Sequence, residues 1–391
     1  MAKIVCVLFD DPQDGYPTTY AREDLPTITQ YPDGQTTPAP SNIDFTPGKL
    51  LGSVSGELGL RPFLEAHGHT LVVTSDKDGE NSVLERELPD ADVVISQPFW
   101  PAYLTRERIA TAQQLKLVIT AGVGSDHIDL DAASEHGITV TEITYSNSIS
   151  VAEHAVMQIL ALVRNYLPSH RWVTDERGWN VADSVERAYD LEGMTAGTLG
   201  AGRIRLAVLR RLQPFGMQLH YHDKQRLPAE VEQELGLTYH ESPQSLAATL
   251  DVLSIHAPLH PQTEGLFNDE LLGEMKRGSY IVNTARGRIC DRDAIVRALN
   301  SGRLAGYAGD VWYPQPPAAD HPWRDMPHHG MTAHISGATL SAQARYAAGT
   351  REVLEHWLAD TSIPEPYLIV DRGELAGVGA QSYTRSGTDR S

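Results

Sequence analysis

Residues 195–205, Thr-Ala-Gly-Thr-Leu-Gly-Ala-Gly-Arg-Ile-Arg, read as a short apolar β-strand that runs through a glycine loop directly into a helix. The helical pattern continues to about residue 213, the next apolar run covers 217–221, and Asp223 ends it 21 residues after Gly202. Strand, glycine turn, helix start and acidic strand end in this order form a dinucleotide-binding unit. Gly200 permits the tight turn, and Gly202 lets the backbone approach a pyrophosphate at the helix N-terminus. Ala201, Arg203 and Ile204 complete the loop, and Asp223 can accept hydrogen bonds from ribose hydroxyls. That carboxylate favours NAD+ over NADP+, although Lys224 and Arg226 lie close by in sequence. One residue departs from the pattern: Arg205 stands where the third glycine would be. A side chain this large is expected to push the helix out or to swing towards solvent.

Outward from this unit, short β-rich runs alternate with helical patterns, which predicts parallel sheets covered by helices. One series comprises 4–8, 70–74, 92–96, 115–120 and 138–143. The second comprises 195–199, 217–221, 251–256, 279–284 and 304–309, with helices near 203–213, 268–276 and 291–300. The fold class is therefore α/β, with two Rossmann-like domains, each a doubly wound parallel sheet. A long helix over 339–358 follows the second series and should return to the first domain. This makes the first domain discontinuous, 1–147 with 338–391, around a second domain of 148–337. The helix over 148–166 is apolar on more than one side, so either a subunit interface or burial between the domains must cover it. Residues 10–48 hold seven prolines and three glycines without helix or strand period and read as an extended surface arm. The tail from 371 is expected to be extended.

Composition removes several functions. A formal net charge of −19 over 391 residues disfavours nucleic acid and anionic membrane surfaces. No apolar stretch approaches the ~18 residues of a membrane span. The first residues, MAKIVCVLFDD, fit neither a signal nor a transit peptide, and Cys6 and Cys290 lack metal or disulfide spacing. A cytoplasmic, metal-free protein is expected.

Loops at the carboxyl ends of parallel strands are where such sheets place ligands. Here they read Gln97-Pro98-Phe99-Trp100-Pro101, Ala121 through His127, Asn283-Thr284-Ala285-Arg286-Gly287, Gly309-Asp310-Val311-Trp312 and His334-Ile335-Ser336-Gly337. Taken singly, Arg286 fits a structural ion pair and His334 is one of sixteen histidines. Together, and with SVAEHAVMQIL, YIVNTARGRICDRDAIVRAL, AGYAGDVWYPQPP and HISGATLSAQARYAAGTRE, these segments resemble the D-isomer-specific 2-hydroxyacid dehydrogenase superfamily. They are most similar to its NAD-dependent formate dehydrogenase branch, on the strength of the proline-rich arm, QPFWPAYLT and a Gln where relatives carry a catalytic Glu.

The resemblance implies a catalytic first domain and an NAD-binding second one, formate and carbon dioxide as substrate and product, and a homodimer. It implies that Arg286 holds the formate carboxylate through a bidentate fork. Asn147 would donate its amide and Val123 its backbone N–H to formate, and Phe99 would form an apolar wall. His334 matches the active-site histidine and Gln315 its partner. Asp310 matches the residue that holds the nicotinamide carboxamide, while Pro258, His260, Thr284, Ser336 and Gly337 fall at cofactor-lining positions. Where the family usually reads Thr-Pro-His, this chain has Thr332-Ala333-His334, and the missing proline should loosen the loop.

The chemistry accounts for the Gln. Oxidising a hydroxy acid removes a hydride and a proton, so a His–carboxylate base is needed. Formate loses only a hydride on becoming CO2, and a neutral partner for His334 suffices. Two other functions use the same segments: a 2-hydroxyacid dehydrogenase, which Gln315 disfavours, and a non-catalytic NAD-sensing scaffold, which the complete set Asn147, Arg286 and His334 disfavours.

Overall fold

The computed structural model describes residues 1–9, 57–200 and 202–376, so the proline-rich arm, Ala201 and the end of the tail lie outside the described residues. The chain divides into two compact units, Met1–Asn147 with Gly337–Ser391, and Ser148–Ser336.

The first unit is built on β1 (Lys3–Val7), β2 (Thr70–Thr74), β3 (Val93–Ser96), β4 (Leu117–Thr120) and β5 (Thr139–Glu142), with β13 (Leu368–Asp371) and β14 (Glu374–Leu375) added from the C-terminal segment. The second is built on β6 (Thr195–Leu199), β7 (Gln218–His222), β8 (Thr238–Tyr239), β9 (Val252–Ile255), β10 (Ser279–Asn283), β11 (Leu304–Gly309) and β12 (His329–Met331). The sheets run β14-β13-β5-β4-β3-β1-β2 and β12-β11-β10-β9-β6-β7-β8. Strand order reverses beside β1 in one and beside β6 in the other, and ligand crevices of doubly wound sheets open at such points.

All pairs of the second sheet are parallel. The first sheet departs from the all-parallel expectation, because β13 pairs antiparallel with β5 and β14 with β13. The chain returning from the preceding helix runs β13 antiparallel beside β5, and β14 then closes the edge of the sheet. Part of the segment expected as an extended tail is thus β14.

Strands β1, β3 and β4 are near-continuous apolar runs because both faces are covered. One face packs on the Leu340–Leu358 helix, whose Ala342, Tyr346, Ala347, Val353 and Leu354 join Ile4, Cys6, Ile95 and Ile119 in one core. That helix does return to the first unit, as its position in the chain implied.

One broad face of the Ser148–Val163 helix is covered inside the second unit. Its Ala152, Ala155, Val156, Ile159 and Val163 pack with Val208, Leu209 and Leu212 and with Val252, Tyr280 and Val282, all inside the second unit. A helix lying between a sheet and a neighbouring helix is apolar on two sides. Cys6 and Cys290 are both buried and unpaired.

Candidate active site

In the second unit β6 ends at Leu199, and the Arg203–Leu212 helix begins after Gly202. Gly200 has φ 106°, and a Cβ there would lie 2.4 Å from the Ala257 backbone nitrogen, so glycine is required where the end of β9 crosses the loop. Gly202 has φ 109° with open space where a Cβ would point, and it caps the helix without a side-chain bond. An open glycine edge and a ten-residue helix whose first N–H groups are uncapped by a side chain fit a bound pyrophosphate. Asp223, buried at the end of β7, fits the ribose.

Arg205 corrects the expectation from sequence. It does not swing towards solvent but is 3% exposed. Its Nη1 donates to the Gly200 carbonyl at 2.9 Å and to Asp223 Oδ2 at 2.7 Å, and the guanidinium lies 5.3 Å from the Tyr221 ring centre. The long side chain turns back to the loop, where Asp223 compensates its charge. Burial lowers the pKa of Arg205, opposed by the Asp223 charge. Burial also lowers the pKa of His256, and the Arg205 charge acts in the same direction.

At the end of β10, Arg286 is half-buried, and its Nη1 donates to the Ala285 carbonyl at 2.8 Å. The next residue has to be glycine: a Cβ on Gly287 would sit 2.5 Å from the Trp312 carbonyl carbon. This close approach sets the Arg286 turn against the loop that follows β11. His334 Nδ1 donates to Gln315 Oε1 at 2.9 Å, since the amide oxygen can only accept. His334 has φ 60°, left-handed and unfavourable for a residue with a side chain.

Asp310 holds that conformation. Fully buried, it accepts from Thr332 Oγ1 at 2.6 Å and Ile335 N at 2.8 Å on Oδ1, and from Ser336 N at 2.7 Å on Oδ2. The carboxylate thereby pins the chain on both sides of His334. His154 and Gln158 extend this support and were not anticipated. His154 Nε2 donates to Thr332 Oγ1 at 3.1 Å, and Gln158 Nε2 reaches the Gly309 and Gly330 carbonyls at 3.2 and 3.3 Å. Burial lowers the pKa of His154, against the pull of Asp310. Two polar residues four apart in a mainly apolar helix were the signal available in the sequence.

Thr284 is buried at the end of β10 with Oγ1 3.5 Å from His256 Nδ1, while Pro258 is exposed and His260 half-buried in the loop after β9. Arg203, Ile204 and Ser336 complete the set in this unit: the first two open the helix, and Ser336 is buried.

The first unit carries the remaining candidates. Phe99 lies in a turn after β3 in which Trp100 N bonds the Gln97 carbonyl and Ala102 N bonds Ser96 Oγ. Pro98 presses on Gly122, where a Cβ would meet it at 2.8 Å, so the loops bearing Phe99 and Val123 are neighbours. Asn147 follows β5 on a turn fixed by the buried Arg345, whose Nε donates to the Ser146 carbonyl. Asn147 Oδ1 is buried without a hydrogen-bond partner among the described residues, and Gly337 packs on this amide.

The chain is 66% identical to the formate dehydrogenase of Pseudomonas sp. (strain 101) over 385 residues, covering 98% of this chain and 96% of that one. The chain belongs to the formate dehydrogenases. Residues 156–336 match the NAD-binding domain of D-isomer-specific 2-hydroxyacid dehydrogenases. Among solved structures, the Granulicella formate dehydrogenase superposes with a TM-score of 0.93 at 66% identity, covering 96% of this chain and all of the other. The NAD-dependent formate dehydrogenase of Staphylococcus aureus, solved with NAD, has a TM-score of 0.79 at 42% identity and covers 94% of this chain and 99% of its own. The glycine loop and Asp223 thus lie in the matched NAD-binding domain of a formate dehydrogenase.

Proposed function

We propose that this protein oxidises formate to carbon dioxide by direct hydride loss to NAD+, without a general acid or base. The observation that carries the mechanism is the Gln315–His334 hydrogen bond, in which a neutral amide occupies the place of a carboxylate. A His with a neutral partner is oriented but not made more basic. When bound, NAD+ supplies the hydride acceptor.

Arg286 holds the formate carboxylate with its guanidinium, and the Asn147 amide and Val123 N–H donate to the formate oxygens. His334, held by Gln315 and Asp310, fixes the orientation of the substrate. Phe99 keeps water from the reacting carbon, which strengthens every charge interaction around it. Gly200, Gly202, Arg203 and Ile204, with Ala201, seat the pyrophosphate, and Asp223 takes the ribose. Thr284, Pro258, His260, Ser336, Gly337 and Asp310 line the rest of the cofactor. The first unit is then the catalytic domain and the second the NAD-binding domain.

The protein acts as a homodimer. Met157, Tyr166, Val173, Trp179, Val181, Val185 and Tyr189 are exposed apolar side chains on one stretch of the second unit, with Trp179 84% exposed. An exposed apolar group of this kind calls for a protein surface. Unpaired cysteines fit a reducing cytoplasm, and no helix of the described residues is long and apolar enough to cross a membrane.

The test is NADH absorbance on mixing protein, NAD+ and formate across neutral pH, with D-lactate, and glyoxylate plus NADH, as comparisons. Formate-dependent turnover that stays nearly flat with pH is expected. Turnover with the hydroxy acid pair alone, or a steep fall on the acid side, would overturn the reading. Sedimentation velocity reads the oligomer, with a dimer mass expected.

A further inference from the structure

We propose that Arg205 is a cofactor-specificity residue: by matching the charge of Asp223 it opens the ribose pocket to a 2′-phosphate, so that the protein takes NADP+ as well as NAD+. The inference rests on the reading that Gly200–Ile204 and Asp223 hold the dinucleotide.

A carboxylate at the end of the second strand rejects NADP+ because two negative charges would face each other in a site poorly screened by water. Here that carboxylate is paired. Arg205 Nη1 lies 2.7 Å from Asp223 Oδ2, and the other oxygen accepts from Gln225 N at 3.2 Å. Arg205 and Asp223 are 3% and 7% exposed, so salt and solvent do little to weaken the pair. The guanidinium is fixed as well as close, being bonded to the Gly200 carbonyl and lying over the Tyr221 ring. A glycine at 205 would leave the carboxylate uncompensated.

The charges nearby act in the same sense. Arg226 is matched by Glu232, with both guanidinium contacts at 2.9 Å, so it leaves the balance unchanged. Lys224 is exposed directly after Asp223. Three cations against two carboxylates leave this strand end net positive where a lone Asp would leave it negative. The pair also engages one oxygen of Asp223 that the ribose hydroxyls of NAD+ would otherwise use, which further narrows the preference for NAD+.

Titration calorimetry with NAD+ and NADP+ tests this on the whole protein, its Arg205→Met and Arg205→Gly variants, and Asp223→Ala. The parent is expected to bind NADP+ within about a hundredfold of NAD+, because a matched pair removes most of the several kcal/mol of like-charge repulsion. Each Arg205 variant should weaken NADP+ relative to NAD+ by at least about tenfold. A parent that discriminates by more than about a thousandfold would refute the proposal, and this measurement needs no variant to fold. Arg205 variants that shift both dinucleotides in parallel would also refute it, since a merely structural role moves the two affinities together. Unchanged NAD+ affinity in Asp223→Ala would instead bring down the underlying assignment of the ribose site.

Discussion

The two units share an architecture and differ in the charge of the candidate residues they carry. Each has a seven-stranded sheet, and in each the candidate residues leave the carboxyl ends of parallel strands. The first unit contributes an aromatic ring, a backbone N–H and an amide, at Phe99, Val123 and Asn147. The second contributes Arg286, His334 and the buried groups Arg205, Asp223 and Asp310. Its ionised residues are held by loop hydrogen bonds or by each other, as the Asp310 bonds to Ile335 and Ser336 illustrate. The side chains at the strand ends, and not the sheet, set the charge of the candidate residues.

The sharpest way to break this contrast is to remove one group from each side. Arg286→Ala should lower kcat/KM for formate by about a thousandfold, because stripping one partner from a buried charge pair costs roughly 3–5 kcal/mol. Asn147→Ala removes a neutral donor and should cost about ten- to a hundredfold. Steady-state kinetics with formate compares them. Equal losses would show that the neutral unit contributes as much as the charged one.

Acid should separate the units next. Burial is the leading cause that lowers the pKa of His154, His220, His240, His256 and His329 in the second unit, and of His69 in the first. A histidine with a lowered folded-state pKa stays neutral while the unfolded chain takes up a proton, so the unfolded state binds more protons below its own pKa. Stability is then fully present above about pH 6.5 and is lost as pH falls below it. Several such residues acting in the same direction make the folded state less stable in acid. Amide exchange between pH 7 and pH 4 should therefore rise first in the second unit. Parallel loss in both units would show that these histidines do not set acid sensitivity.

What was legible in the sequence follows the same division. The strand, glycine loop, helix and Asp223 announced themselves because their chemistry is local, and the core strands did so as apolar runs. The direction of Arg205 was not legible, since its partner lies 18 residues away and only folding brings β7 beside the loop. Asp310 was singled out, but its grip on the His334 loop was not, because it depends on β11 and β12 lying side by side. The His154–Thr332 bond spans 178 residues and left only a polar position in an apolar helix as its trace. The antiparallel β13 leaves as little trace, because a four-residue strand carries little periodicity.

Gln315→Glu sharpens the comparison by adding a charge to the second unit. A carboxylate 2.9 Å from His334 Nδ1 would stabilise the imidazolium and raise its pKa. On the alkaline side, with the carboxylate ionised and His334 neutral, the added negative charge would repel formate. The KM for formate should rise there by about tenfold, converting a flat pH profile into a sloping one. A variant with an unchanged profile would show that residue 315 does not tune the histidine.

The smallest effect is expected from Ala333→Pro, which gives the Thr-Pro-His order that the family resemblance leads one to expect at His334. Proline would restrict φ and reduce the freedom of the unfolded chain, a gain of about 0.4–1 kcal/mol where the native backbone accepts it. Freedom at position 333 matters for positioning only if nothing else holds His334. Asp310 already fixes Thr332 on one side and Ile335 and Ser336 on the other, and Trp312 Nε1 donates to the Thr332 carbonyl at 2.7 Å. With both ends anchored, the alanine has little room to loosen the loop, and kcat should change by less than about twofold while the melting temperature rises slightly. Thermal unfolding and formate kinetics on the two proteins decide the matter. A tenfold gain in kcat would mean that the anchors leave the histidine loose, and that the charged unit is less rigid than its hydrogen bonds imply.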